Sequence, residues 1–181
     1  MSRSRRIRVV PADPAWPSCF SDAAEALAIA FGAVVAIHHI GSTSVPGLAA
    51  KPIIDLCVEV DTLARADARE ADVVALGYQA LGEHGLPRRR FYRRDENGER
   101  THHVHLWVAG DPEVARHLAF RDFLIAHPER AARYGKLKTW LAAQFEWDAE
   151  SYIAGKDAFV RDVEVRALRW AGIEKESAHV G

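Results

Sequence analysis

Two apolar, strand-like runs, Val34 to Ile40 and Ile53 to Val60, enclose a turn written Gly41-Ser42-Thr43-Ser44-Val45-Pro46-Gly47. This stretch constrains the chain most. A glycine- and hydroxyl-rich turn between consecutive apolar strands offers backbone N–H groups and hydroxyls to an anion, and Pro46, Gly47 and Pro52 shape it. Lys51 adds a positive charge just before the second strand. Within that strand Asp55 interrupts the apolar run, and a carboxylate there is costly to bury without a cation or hydrogen-bond donors. The sequence therefore calls for a partner beside the turn.

The rest of the chain supplies a frame for that pair of strands. Ile7 to Val10 read as a short extended arm, and Asp13-Pro14-Ala15-Trp16-Pro17 predicts a capped, proline-led helix reaching Phe31, where Gly32 stops it. Asp61 or Thr62 can cap a helix over Leu63 to Leu76, ended by Gly77, before a short strand near Tyr78 to Leu81. Arg88 to Arg94 and Thr101 to Val108 form a hairpin around a turn at Asp95-Glu96-Asn97-Gly98. From Asp111-Pro112 onward the pattern becomes helical: one helix reaches His127-Pro128, a second covers about Glu129 to Gln144, and a third runs from Asp148 to Ala171. The reading is one α+β domain over 1–181, with an ordered core over 9–171 and a frayed tail over 174–181. No domain boundary is expected.

Charge and cysteine content narrow the partners. With 24 basic and 25 acidic residues the chain has no global attraction for nucleic acid or an anionic membrane. Cys19 and Cys57 have no repeated spacing, which argues against a disulfide framework and against a zinc ribbon. Arg3, Arg5 and Arg6 precede no apolar run of signal length, and no segment approaches the roughly 18 apolar residues of a membrane span. The expectation is a soluble cytoplasmic protein, and the sequence leaves its oligomeric state open.

Strand alternation decides which side chains can cooperate. Asp55, Cys57 and Glu59 share one side of their strand, with Asp55 and Cys57 about 6.6 Å apart and Asp55 and Glu59 about 13 Å apart. Glu59 therefore cannot replace an acid missing at position 57, and the soft thiol of Cys57 suits Mg²⁺ poorly. Asp55 could hold one divalent ion, with a substrate's phosphates and waters completing the shell, or could cap its own loop by accepting bonds from Gly41, Ser42 or Thr43. On the Thr101–Val108 strand, His103, His105 and Trp107 share a face, opposite Val104, Leu106 and Val108. His103 and His105 could join Asp55 around a metal, donate protons to a phosphate, or be ordinary sheet-face residues. His102 is expected to be exposed, and at most one of His38 and His39 can face the site. Alternation splits Arg88, Arg89, Arg90, Arg93 and Arg94 between two faces with acids close behind, which favours a solvated hairpin over a nucleic-acid surface. Arg121, Lys138, Tyr152 and Lys156 stand out amid apolar helical periodicity and are weighed against a solvated face.

With these residues in view, the chain resembles the GrpB family over nearly everything from Val9 to Ala171. The most specific piece runs from His39 to Asp55, supported by Asp13-Pro-Ala-Trp16, Thr101-His-His-Val-His105, Ala119-Phe-Arg-Asp-Phe-Leu124 with His127-Pro128, Tyr134 with Leu137-Lys138, and Tyr152 with Lys156. The resemblance implies a nucleotidyltransferase-like mixed sheet flanked by helices, with a phosphate-binding Gly41-Ser42 turn facing an acidic strand. In active nucleotidyltransferases carboxylates at two positions on that strand, and one on a later strand, hold two metals. Here Cys57 stands at the second position and His103 and His105 stand on the later strand. On this reading Gly41, Ser42, Thr43 and Lys51 grip phosphate, with Arg121, Lys138, Tyr152 and Lys156 as further contacts. Asp55, His103 and His105 carry the chemistry and any single divalent cation, with Mg²⁺ or Mn²⁺ placed ahead of Zn²⁺. The expected partner is a nucleotide or another phosphorylated small molecule, held either by a binding module or by a metal-dependent transferase. A third reading is an accessory or interaction domain, because GrpB-like domains occur joined to a dephospho-CoA kinase.

Overall fold

The computed structural model describes residues 6–173, so the tail over 174–181 lies outside the described residues. In chain order it contains α1 (Trp16–Phe31), β1 (Val34–Ile40), a 3-10 turn (Ser42–Ser44), β2 (Ile54–Val60), α2 (Leu63–Asp67), α3 (Glu70–Ala75), β3 (Tyr78–Ala80), β4 (Arg90–Glu96), β5 (Glu99–Val108), α4 (Pro112–Ala126), α5 (Pro128–Gln144) and α6 (Ala149–Trp170). The five strands form one sheet in the order β1-β2-β5-β4-β3. Only β2 and β5 run parallel; every other pair is antiparallel. This is the α+β architecture, a mixed sheet with flanking helices and a helical final third, that the sequence predicts.

Alternation assigns the two sheet faces to different work. Leu56, Val58 and Val60 of β2, with Val104 and Leu106 of β5, turn to a core closed by Ala23, Leu27 and Phe31 of α1 and Val73 of α3. The parallel register sets Asp55 beside His103 and Cys57 beside His105, on the other face. Sequence spacing of 48 residues thus becomes lateral adjacency. The C-terminal helices build a second core from Phe123, Leu124, Tyr134 and Val163, and this core reaches the turn region through Val45 and Leu48.

Three expectations need correction. The helix predicted over Leu63 to Leu76 is broken into α2 and α3, because Arg69 leaves helical geometry at φ −108° and ψ 6°. Its side chain instead donates to the Ala30 carbonyl of α1 at 3.0 Å, which fixes the bend. His102, expected to be exposed, is buried at 6% exposure with Tyr78 and Arg94 around it. Strand parity puts it on the covered face, and β3 closes over it. The hairpin arginines match a structural role at Arg88, Arg90 and Arg94, which pair with Asp111, Asp67 and Glu96. Arg89 departs from that pattern and is buried at 6% exposure.

Candidate functional site

The turn is built around Gly41, whose φ of +71° is left-handed and favours glycine. A Cβ there would also collide with Oδ2 of Asp55, so the missing side chain is what lets the turn lie against the carboxylate. Thr43 is buried: its hydroxyl donates to the Ile53 carbonyl at 3.2 Å and accepts from His39 Nε2 at 3.0 Å. Thr43 thus ties the turn to both flanking strands. Ser42 has a different task, because its hydroxyl receives Lys138 Nζ at 2.7 Å.

Lys138 reaches the turn because α5 comes in close. A Cβ at Gly135 would sit 3.3 Å from Leu48 Cδ1, a tight contact, so glycine at that position lets α5 rest closely on the loop. One turn further along, Lys138 is 3% exposed, and its ammonium lies 4.4 Å from the Tyr134 ring centre. Lys51 comes from the loop before β2, with its ammonium 5.6 Å from the Tyr152 ring centre. Lys156 of α6 faces the same space, a cavity of about 290 Å³. Among the described residues none of the three lysines has an ion-pair partner. Burial, together with the nearby Lys156 and Lys51, pulls Lys138 down to about 7, against an opposing pull from Asp55. Lys51 and Lys156 are lowered as well, burial being the first cause for each.

Asp55 lines the same cavity from β2. His103 Nδ1 donates to its Oδ1 at 3.0 Å, while His105 Nε2 stands 3.7 Å from the same oxygen. Burial alone would raise the Asp55 carboxyl; the two imidazoles outweigh it and hold the group well below the usual carboxylate range. The partner of Asp55 is thus a histidine from the neighbouring strand, and the loop-capping alternative finds no side-chain bond of Asp55 to Gly41, Ser42 or Thr43 among the described residues. Asp55, His103 and His105 offer ligand atoms that all lie within 4.8 Å of one another, close enough to hold a metal ion. The set contains one carboxylate and two imidazoles. It gives Mg²⁺ one carboxylate, so phosphates and waters would have to supply the rest of an octahedral oxygen shell.

Most of the residues singled out in the sequence converge here. Gly41, Ser42, Thr43, Lys51, Asp55, His103, Lys138, Tyr152 and Lys156 all line the cavity. His105 stands behind this lining, against Trp107 and Phe91. Arg121 turns elsewhere, donating to the His39 carbonyl at 3.0 Å and to Asp122 at 2.7 Å. Glu59 is engaged by His38 at 2.7 Å, away from Asp55. The sequence reading missed the part of the lining contributed by Arg116, His117, Phe120, Val160 and Glu164 of α4 and α6. Arg116 pairs there with Glu113 and Glu164. Burial and the adjacent Arg116 lower His117 to about 4, so it is neutral near pH 7. Helical spacing could have put Phe120 beside Arg116, but Glu164 arrives from α6 and has no local signal.

The fold and site define a class: an α+β domain with a lysine-lined pocket, closed at one end by a carboxylate behind a glycine turn. A family model described as GrpB protein matches residues 6–166, and the chain belongs to the GrpB family. The crystal structure of conserved protein GrpB from Enterococcus faecalis superposes with a TM-score of 0.87 at 40% identity, covering 91% of this chain and 99% of that one. UPF0157 protein YqkA of Bacillus subtilis is 42% identical over 167 residues, 92% of this chain and 48% of YqkA. A dephospho-CoA kinase of Mycolicibacterium paratuberculosis is 31% identical over 191 residues, 91% of this chain and 47% of the kinase. The chain thus spans about half the length of these two relatives. Among the described residues no helix is long and apolar enough to cross a membrane.

Proposed function

We propose that the pocket binds a nucleotide or another phosphorylated small molecule, with the phosphate held between the Gly41–Ser42 turn and Lys51, Lys138 and Lys156. One observation carries this reading: three ammonium groups from three separate elements meet in one cavity, none of them ion-paired among the described residues, and Lys138 is 3% exposed, with Asp55 on the lining as the carboxylate that acts on it. Gathering like charges around a buried one is unfavourable unless a further anion offsets it. A phosphate with two or more negative charges supplies that offset and accepts several N–H donors at once. Phe120 and Val160, on the helical part of the lining, give the rest of the ligand an apolar surface.

The test is a thermal-shift and calorimetric panel of nucleoside mono-, di- and triphosphates, pyrophosphate and CoA-type phosphates; the kinase relatives motivate the last. A ligand at a hundred times its Kd raises stability by about 2.7 kcal/mol, and Lys138→Met removes that gain. No shift with any member of the panel overturns the reading. A transferase is the second reading, favoured by the Asp55–His103 pair on the lining of the same cavity. Binding alone is the better-supported reading, because Cys57 stands where a second metal-holding acid belongs and its thiol is pushed up to about 12 by burial and Glu59. Product formed from a radiolabelled triphosphate reverses that preference. If the chain serves as an accessory domain, the same pocket would sense a phosphorylated metabolite for a partner enzyme.

A further inference from the structure

Arg89 lies just before β4 and is 6% exposed, yet among the described residues it has no carboxylate partner. Its guanidinium is fixed from every side. Nε donates to the Glu83 carbonyl at 3.2 Å, Nη2 to the His84 carbonyl at 2.6 Å, and the group lies 4.8 Å from the Phe91 ring centre. The remaining nitrogen, Nη1, is directed at His105 Nδ1, 3.3 Å away. Arginine has only donors, so the imidazole nitrogen that receives it must present a lone pair. In neutral His105 the proton then sits on Nε2, the atom that faces Asp55 Oδ1 at 3.7 Å.

We propose that Arg89 is a positioning residue: it locks His105 in the Nε2–H tautomer, so the Asp55 cluster is a hydrogen-bonding cradle and not a three-ligand metal centre. A metal held by Asp55, His103 and His105 requires a lone pair on His105 Nε2. That shifts the ring proton to Nδ1, where it meets an N–H of Arg89 head-on. The fixed positive charge behind the ring opposes a cation in front of it as well. With the lock in place, His103 and His105 both turn N–H groups toward one carboxylate oxygen, and Asp55 stays ionised and immobile against Gly41. This inference does not depend on which anion the lysines take. It concerns the Asp55 cluster on the β2–β5 side of the pocket, and its test contains no phosphate.

The experiment is long-range proton–nitrogen NMR on histidine-labelled wild-type protein at neutral to mildly alkaline pH, followed by titration with Zn²⁺ alone. The expected result is His105 in the Nε2–H form, with no Zn²⁺-dependent shift of the His103 and His105 ring nitrogens. In Arg89→Met the tautomer is released and Zn²⁺ binds at least tenfold more tightly at these rings, while Arg89→Lys, which keeps a donor, remains closer to wild type. A wild-type His105 protonated on Nδ1 overturns the proposal, as does Zn²⁺ bound to both rings with an affinity that Arg89→Met leaves unchanged. Because the wild-type spectrum decides the tautomer, a variant that fails to fold does not remove the test.

Discussion

The two faces of the central sheet are made by the same strands and are opposite in character. On one, Leu56, Val58, Val104 and Leu106 are fully buried under α1 and α3. On the other, one residue out of step, Asp55, Cys57, His103 and His105 bring ionisable groups together. The first face is held mainly by apolar burial, roughly 25 cal/mol for each Å² removed from water, although Tyr78 Oη, Tyr92 Oη and Arg94 Nε are buried on it without hydrogen-bond partners among the described residues. The second carries costs of another kind: among the described residues His103 Nε2 and Trp107 Nε1 are buried without hydrogen-bond partners, and Lys138, docked above this face, is buried without a counter-ion. Stability and ligand recognition are thus separated by a single step of strand parity.

Breaking the apolar face should have the largest effect. Leu106→Ala deletes a side chain at 0% exposure and is expected to lower unfolding free energy by about 2–5 kcal/mol in urea titrations. The anion-induced rise in Tm should persist in the folded fraction; its loss would show that the faces are not separable. Gly41→Ala attacks the other side of the comparison. It combines a φ of +71° with a collision against Asp55 Oδ2, so a cost of about 1–3 kcal/mol is expected together with loss of the anion response. An unchanged response would disconnect the turn from the carboxylate.

Lys138→Met sharpens the contrast, because it should stabilise the unliganded protein by about 1 kcal/mol below neutral pH while removing the binding response. The sign follows from the lowered Lys138 value of about 7. Between that pH and the ordinary lysine value near ~10.4 the unfolded chain binds more protons than the native one, so stability rises with pH across this window. Below about 7 both states carry the proton and the penalty is fully present. The advantage of Lys138→Met should therefore shrink as pH rises, and an advantage that does not vary with pH would show that the buried charge is not its source. The smallest effect is expected at Glu59→Gln, where the partly exposed His38 pair on the cavity face is worth under about 1 kcal/mol.

Much of this was legible in the sequence, for identifiable reasons. Period-two patterning located β1, β2 and β5 and the faces of Asp55, His103 and His105, because parity is a local property of the chain. Helical periodicity and Pro112, Pro128 and Asp148 located α4, α5 and α6. Parity places Arg89 on the side of Phe91 and His105, where its guanidinium lies, but does not foretell its burial. That burial depends on the loop before β4, where Arg88 adopts a left-handed φ of +64° and the Glu83 and His84 carbonyls close on the guanidinium. Lys138 and Lys156 look like any helical lysines until α5 and α6 are docked on the turn. That convergence is tertiary, so local patterning alone could not separate them from a solvated face, and Glu164 and Arg116 were missed on the same ground.

The close seating of Gly135 on Leu48 has a mechanical consequence. Lys51 belongs to the sheet side of the molecule, whereas Lys138 and Lys156 belong to the helical layer, and the two layers meet around the turn. An anion grasped by all three would act as a strut between them. Amide exchange in the middle turns of α5 and α6 should then slow on ligation even at residues that touch no ligand, while exchange in β3 and β4, at the far side of the sheet, should not change.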